Sequence, residues 1–96
     1  MYKRQKFSTK NILVLSKTNN LGFARIGVAI RKKDVKLAVN RNNIKRKIKG
    51  SFLSKVLELP LRDFVVYVKR DLVGKEVELK KDLEKIWGKF NQKNDQ

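Results

Sequence analysis

The 96 residues are enough for one small domain with a modest core, and we expect residues 1–96 to fold as a single domain. With 25 Lys and Arg residues against 9 Asp and Glu residues, the formal net charge is +16, an excess that opposes compaction and usually reflects a polyanionic partner. The chain has no Cys and no His, which excludes disulfides, thiolate or imidazole metal sites, and histidine catalysis.

The first part of the chain predicts a series of strands. Lys6–Thr9 has the composition of a short edge strand, and the continuous apolar run Ile12–Leu15 has strand length. Thr18–Gly22 contains Asn and Gly, which favour a turn. Ala24–Arg31 then alternates, so its apolar even-numbered residues are expected to face the core. With the turn between them, the last two strands are predicted to pair as a hairpin.

A long basic helix is predicted next. Asp34 is a suitable N-cap, and the helix is expected to run roughly from Val35 to Leu57. An apolar stripe recurs at about 100° per residue. Its members are Leu37, Ile44, Ile48 and Phe52.

The remaining elements are a strand, a turn and a second helix. Phe64–Val68 is strongly β-prone and is expected to be a central strand, and Asp71–Lys75 is expected to form a turn. A final helix starts near Glu76, with an apolar face formed by Leu79, Leu83, Ile86, Trp87 and Phe90. The order predicts an α/β (α+β) two-layer sandwich: a small mixed β-sheet with packed helices, in which the strands joined by the first helix are parallel.

The positive charge is concentrated before the final strand and helix. Met1 to Leu57 contains 16 basic residues and one acid, a net charge of +15, whereas the remainder has 9 basic and 8 acidic residues. On the first helix, basic side chains and an amide fall within an arc of about 100°, beside the apolar stripe. They are Asn42, Lys45, Arg46 and Lys49. Because solvated helix faces usually mix signs and this one has no acid, RNA binding is favoured over a merely solvated surface.

These residues also carry a resemblance to a known family. The segments Arg25–Val28, Lys32-Lys33 and Ala38–Arg46 resemble, in order, the bacterial ribonuclease P protein, particularly its proteobacterial form. The similarity covers roughly Asn19 to Phe90 and continues through Ser51-Phe52, Glu58–Pro60, Asp63–Val66 and Leu83–Trp87. Two departures stand out: Asn43 occupies the third position of the Arg-Asn-Arg core, and the chain begins just after the place of the family's N-terminal aromatic helix.

The resemblance implies a left-handed crossover between the parallel strands and a role as the RNA-binding subunit of ribonuclease P. That subunit assists a catalytic RNA in removing the 5′ leader from precursor tRNA, and the RNA acts with Mg²⁺. No catalytic or metal-binding residue is expected in the protein. The RNA-binding residues would be Lys32, Lys33, Arg41, Asn42, Lys45, Arg46 and Lys49, together with Arg25 and Arg31 as either phosphate contacts or rim charges. Leader contacts would come from Tyr67 and from Ile12 and Val14, or from Leu13 and Leu15 if the register is shifted.

Other functions remain open on the sequence alone. A general RNA-binding structural or chaperone protein of ribosomal type fits the charge and fold equally, and stimulation of precursor-tRNA cleavage by a cognate RNA would separate the two. A DNA-binding helix is disfavoured because no second short helix or dimer heptad is present. Apolar runs of only about five residues predict no membrane span and nothing resembles a signal peptide, so we expect a cytoplasmic location. No membrane contact and no obligate protein partner is expected.

Overall fold

A computed structural model describes residues 4–18, 22–59 and 61–92. The described part contains four strands and two helices in the predicted order. They are β1 (Arg4–Ser8), β2 (Ile12–Thr18), β3 (Arg25–Ile30), α1 (Ala38–Lys55), β4 (Arg62–Val68) and α2 (Glu76–Gln92), with a short 3₁₀ turn at Val56–Glu58 after α1.

The four strands form one mixed sheet in the order β1-β2-β4-β3. β2 pairs antiparallel with both β1 and β4, and β3 pairs parallel with β4, as expected for strands joined by a helix. The left-handed sense that the resemblance implies for this crossover stays a prediction.

The predicted hairpin between the second and third strands is wrong, because β4 lies between them. β4 is a run of β-prone residues with Phe64, Val66 and Val68 buried, and such a strand is best placed where both of its edges are paired. Of the predicted turn at Thr18–Gly22, residues 19–21 lie outside the described residues. Gly22 has φ 79°, a conformation that glycine adopts at low cost.

Both helices pack on the same face of the sheet and enclose one core. The predicted stripes are confirmed except for Leu37: Ile44, Ile48 and Phe52 of α1 are buried, as are the five predicted residues of α2. Phe64 lies at the centre, with its ring centroid 5.0–5.9 Å from those of Phe52, Trp87 and Phe90. The even-numbered residues of the third strand also pack against this core, as predicted.

The start of α1 differs from the prediction. Asp34 does not cap the helix; its carboxylate accepts a hydrogen bond from Arg31 Nε at 2.8 Å. The chain makes a turn here and α1 begins at Ala38, with Leu37 at the N-cap and no side-chain cap bond. Leu37 is therefore 61% exposed rather than part of the buried stripe, and Val35 fills the core instead.

A polar clamp holds α2 over the β1–β2 side of the sheet. Asp82 Oδ2 of α2 accepts hydrogen bonds from Thr9 Oγ1 and Asn11 Nδ2, both at 3.0 Å, and Asn11 is only 2% exposed. The rings of Phe7 in β1 and Phe90 in α2 pack edge to face at 4.8 Å. Because α2 occupies the β1–β2 side of the sheet, α1 packs over β3. The outer flank of α1 is therefore free to carry polar side chains.

Candidate nucleic-acid interface

The predicted basic arc of α1 lies on the flank turned away from α2 and on the outer surface of the helix, whereas Lys47 lies on the flank toward α2. The opposite flank contacts α2, where Ser51 Oγ accepts a hydrogen bond from Trp87 Nε1 at 3.0 Å. The predicted arc therefore forms one surface, called the basic face below, in which only Lys45 is half-buried. The basic face consists of Asn42, Lys45, Arg46 and Lys49.

Lys32 and Lys33 extend this surface at the end of the molecule where α1 begins. Both are exposed, in the turn that joins β3 to α1. Arg41, by contrast, is half-buried, and its Nη1 donates hydrogen bonds to the carbonyl oxygens of Val35 and Lys36, each at 2.9 Å. Arg41 thus supports the loop that leads into α1, a contact within the protein that the sequence pattern did not reveal.

Arg25 and Arg31 are each held by an acid. Arg25 makes a two-point contact with Asp63, Nε to Oδ1 at 2.9 Å and Nη2 to Oδ2 at 2.8 Å, and Arg31 pairs with Asp34. The hydrogen bond to Asp63, and then its charge, raise the pKa of Arg25 above its ordinary value. Because each guanidinium is paired with a carboxylate of the protein, neither is free to bind a phosphate through two N–H groups. This favours the alternative that Arg25 and Arg31 are charges at the rim of the interface rather than phosphate contacts.

The face of the sheet opposite the helices carries a second candidate surface. Cross-strand register places Leu13 beside Tyr67 and Leu15 beside Val65, and these side chains are half-buried or, for Tyr67, 41% exposed. We call these four residues the open sheet face. Exposed Lys6 and Lys17 flank it.

A shallow cavity of about 330 Å³ runs across this face, lined in part by Leu15, Lys17, Asp63 and Tyr67. An apolar, aromatic centre beside cationic side chains is the arrangement with which proteins stack and hold single-stranded nucleic acid. The open sheet face is therefore suited to an extended, unpaired RNA segment.

The assignment of Ile12 and Val14 to a leader-binding surface is wrong. Both are fully buried against the helices, on the same face of the sheet as Val66 and Val68, so no RNA can reach them. The alternative pair, Leu13 and Leu15, points to the open sheet face.

A signal in the sequence could have chosen between the two faces of this strand. Lys17 shares its face with Leu13 and Leu15 by strand alternation, and a lysine is seldom fully buried. The pattern was obscured because polar Ser16 falls on the buried face, where it is 2% exposed. The flanking cations Lys6 and Lys17, and Val65, were missed for the same reason.

Two features of the described residues bear on other classes of function. Among residues 4–18, 22–59 and 61–92, no group of three or more His, Cys, Asp or Glu side chains could hold a metal ion. Neither helix in this part of the chain is long and apolar enough to cross a membrane.

Known proteins of one family resemble this chain over most of its length. The family model described as Ribonuclease P matches residues 1–91. The ribonuclease P protein component of Cronobacter sakazakii is 44% identical over 84 residues, which cover 86% of this chain and 71% of that protein. The corresponding protein of Escherichia coli O157:H7 is 40% identical over the same shares.

The fold has a counterpart among solved structures. The RNase P protein of Thermotoga maritima, in complex with 1-(4-fluorophenyl)-2-thiourea, matches with a TM-score of 0.75 over 88% of this chain and 84% of that chain. At 21% sequence identity this likeness concerns the fold alone.

Proposed function

Since the chain belongs to the ribonuclease P protein family, as a subunit that assists a catalytic RNA in processing the 5′ end of tRNA, we propose that it works through two RNA-binding surfaces. The basic face of α1, extended by Lys32 and Lys33, binds the phosphates of the catalytic RNA. The open sheet face binds the 5′ leader of precursor tRNA. The observation that carries the proposal is the unmixed positive charge of α1, displayed on the flank that α2 does not cover.

The contact with the catalytic RNA is electrostatic. α1 contains no acid, and Arg46 and Lys49 are exposed, so phosphates meet cations without a competing carboxylate on the same helix. Each phosphate neutralised releases condensed counterions, which makes such binding strong at low salt. Asn42, exposed between these cations, adds an amide that can donate to sugar or base edges.

The contact with the leader uses stacking and shape. Tyr67 presents a partly exposed ring beside Leu13, on the same face of the sheet as Leu15 and Val65. Bases of an unpaired strand can stack on such a ring whatever their identity, which suits a leader that differs from one precursor to the next. β3 is an edge strand and packs beneath α1, so the two surfaces meet around one edge of the molecule.

In this proposal the catalytic RNA, and not the protein, cleaves the precursor tRNA. A nuclease that works without an RNA partner needs a base, a nucleophile-activating group or a pair of metal ions held by protein ligands. This chain has no His and no Cys, and Mg²⁺ is expected on the RNA subunit, with the protein lowering the electrostatic cost of assembling two RNAs. No membrane or obligate protein partner enters the scheme, and we place it in the cytoplasm.

We expect the purified protein alone to leave precursor tRNA intact, and to stimulate cleavage when a ribonuclease P RNA from a related bacterium is added at low Mg²⁺. The measurement is single-turnover cleavage with and without protein, on precursors with and without a leader. Stimulation should be larger for the precursor with a leader. Cleavage by RNA-free protein would contradict the proposal, and so would the absence of any effect on the RNA-catalysed rate.

Replacing Tyr67 by Ala should reduce affinity for a precursor with a leader about fivefold, because stacking on one aromatic ring contributes roughly 1 kcal/mol at a partly exposed site. Affinity for the same tRNA without a leader should not change. Tyr67→Phe, which keeps the ring, is the matched control and should behave like the unchanged protein. A loss that is equal for both RNAs would place Tyr67 outside the leader contact.

A further inference from the structure

A second cavity, of about 320 Å³, lies where the start of α2 meets α1. Buried Leu72 and Leu79 contribute its apolar floor. Its polar lining comes from both helices: Asn43, Arg46 and Lys47 from α1 and Glu76 from α2. Ligand pockets begin at about 300 Å³, so this junction cavity has room for one small planar group rather than for a longer segment.

The junction cavity is continuous with the basic face. Arg46 belongs to both, while Asn43 and Lys47, four residues apart, lie on the neighbouring flank toward α2. An RNA strand bound along the basic face would therefore pass the mouth of the cavity.

Glu76 is the unexpected member of this lining. A carboxylate repels RNA phosphates, yet this one shares the cavity with three α1 side chains that carry hydrogen-bond donors. Its Oε2 accepts a hydrogen bond from the backbone N–H of Gly74 at 3.3 Å, which ties the side chain to the loop before α2. A tethered carboxylate in an otherwise basic surface is suited to accept N–H donors from a neutral ligand.

The chemistry of the lining distinguishes among the bases. Guanine offers two acceptors on one edge, O6 and N7, to which Arg, Lys and amide groups donate. Its adjacent N1–H and exocyclic amino group are donors that a carboxylate can accept when the base is unstacked and its pairing edge is free. Adenine and cytosine each combine one amino group with acceptors only, and uracil has a single N–H. None of them therefore satisfies both the α1 donors and the Glu76 carboxylate as well as guanine does.

We propose that the junction cavity binds one unstacked guanine of a partner RNA, with Asn43, Arg46 and Lys47 donating to its acceptor edge and Glu76 accepting from its N–H groups. This proposal adds a specific contact to the proposed function and rests on it in one respect, that RNA lies along the basic face. A depression without such selectivity would bind sugar phosphate and all bases alike.

The test is an NMR titration of the ¹⁵N-labelled full chain with guanosine 5′-monophosphate, cytidine 5′-monophosphate and ribose 5-phosphate. We expect backbone amides of residues 43–47 and 72–76 to shift and to saturate at a guanosine monophosphate concentration about fivefold to tenfold below that for the cytidine nucleotide. Ribose 5-phosphate should not shift the amide of Glu76.

Glu76→Gln is the informative variant, because its amide oxygen can still accept from Gly74 N–H while the second acceptor is lost. The preference for guanosine should fall to within about twofold, since a single bidentate contact accounts for it. Lys81→Ala, on the exposed outer side of α2, is the control and should keep the full preference. Equal affinities for the three ligands with the unchanged protein, or shifts confined to the open sheet face, would overturn the assignment.

Measuring stimulation of precursor cleavage on the same preparations separates the two hypotheses. If the protein stimulates cleavage but shows no preference for guanosine, the assignment of the junction cavity as a guanine site is overturned and the proposed function stands. Guanosine preference without stimulation supports the cavity and overturns the proposed function.

Discussion

Replacing Lys45 and Arg46 together by Ala is expected to weaken binding of ribonuclease P RNA about 30-fold, corresponding to about 1 kcal/mol for each lost phosphate contact. Both side chains lie on the basic face of α1, Arg46 exposed and Lys45 half-buried. The slope of log affinity against log salt should also become shallower, by about 0.7 to 0.9 for each contact removed. Filter binding or fluorescence anisotropy across a salt series measures both quantities.

The matched control for this prediction is Lys81→Ala combined with Lys85→Ala. These two lysines are exposed on the outer side of α2, and their removal lowers the net charge by the same two units. If the basic face binds RNA, the control should lose affinity no more than about threefold, through long-range attraction alone. Equal losses for the two double variants would show that net charge, and not this helix face, governs binding.

Replacing Phe64 by Ala should lower the free energy of unfolding by about 3–5 kcal/mol, the usual cost of removing a buried aromatic ring. Phe64 is 1% exposed at the middle of the central strand, and its ring contacts those of Phe52, Trp87 and Phe90. Small domains have a total stability of only about 5–15 kcal/mol, so the variant would be near the limit of folding. Urea unfolding, followed by the fluorescence of the single Trp, Trp87, gives the value.

Tyr67→Ala tests the same strand on its other face. Because Tyr67 is 41% exposed on the open sheet face, its loss should cost less than about 1 kcal/mol of stability while reducing leader affinity. The two variants thus separate core from binding surface within one strand. A destabilisation by Tyr67→Ala as large as that of Phe64→Ala would mean that this face is packed rather than open.

Local patterns determined much of this protein. The apolar spacing of Ile44, Ile48 and Phe52 placed α1 on the sheet, and the spacing from Leu79 to Phe90 did the same for α2. The same helical period placed Lys45 and Arg46 beside the buried stripe, so the basic face followed from the sequence. These features were accessible because side-chain direction in a helix or strand depends only on residues a few positions apart.

Long-range pairing decided the rest. Only the tertiary structure shows that β4 separates β2 from β3 and that Arg25 is held by Asp63, 38 residues away. The register that sets Ile12 opposite Val68 of β4 likewise joins distant parts of the chain, and a shift of one residue would exchange the two faces of β2. The junction cavity joins Asn43 to Glu76 across two helices. Such contacts depend on how whole strands and helices pack. Alternative packings of the same elements would satisfy the same local periodicities and would differ only in which surfaces are buried against each other.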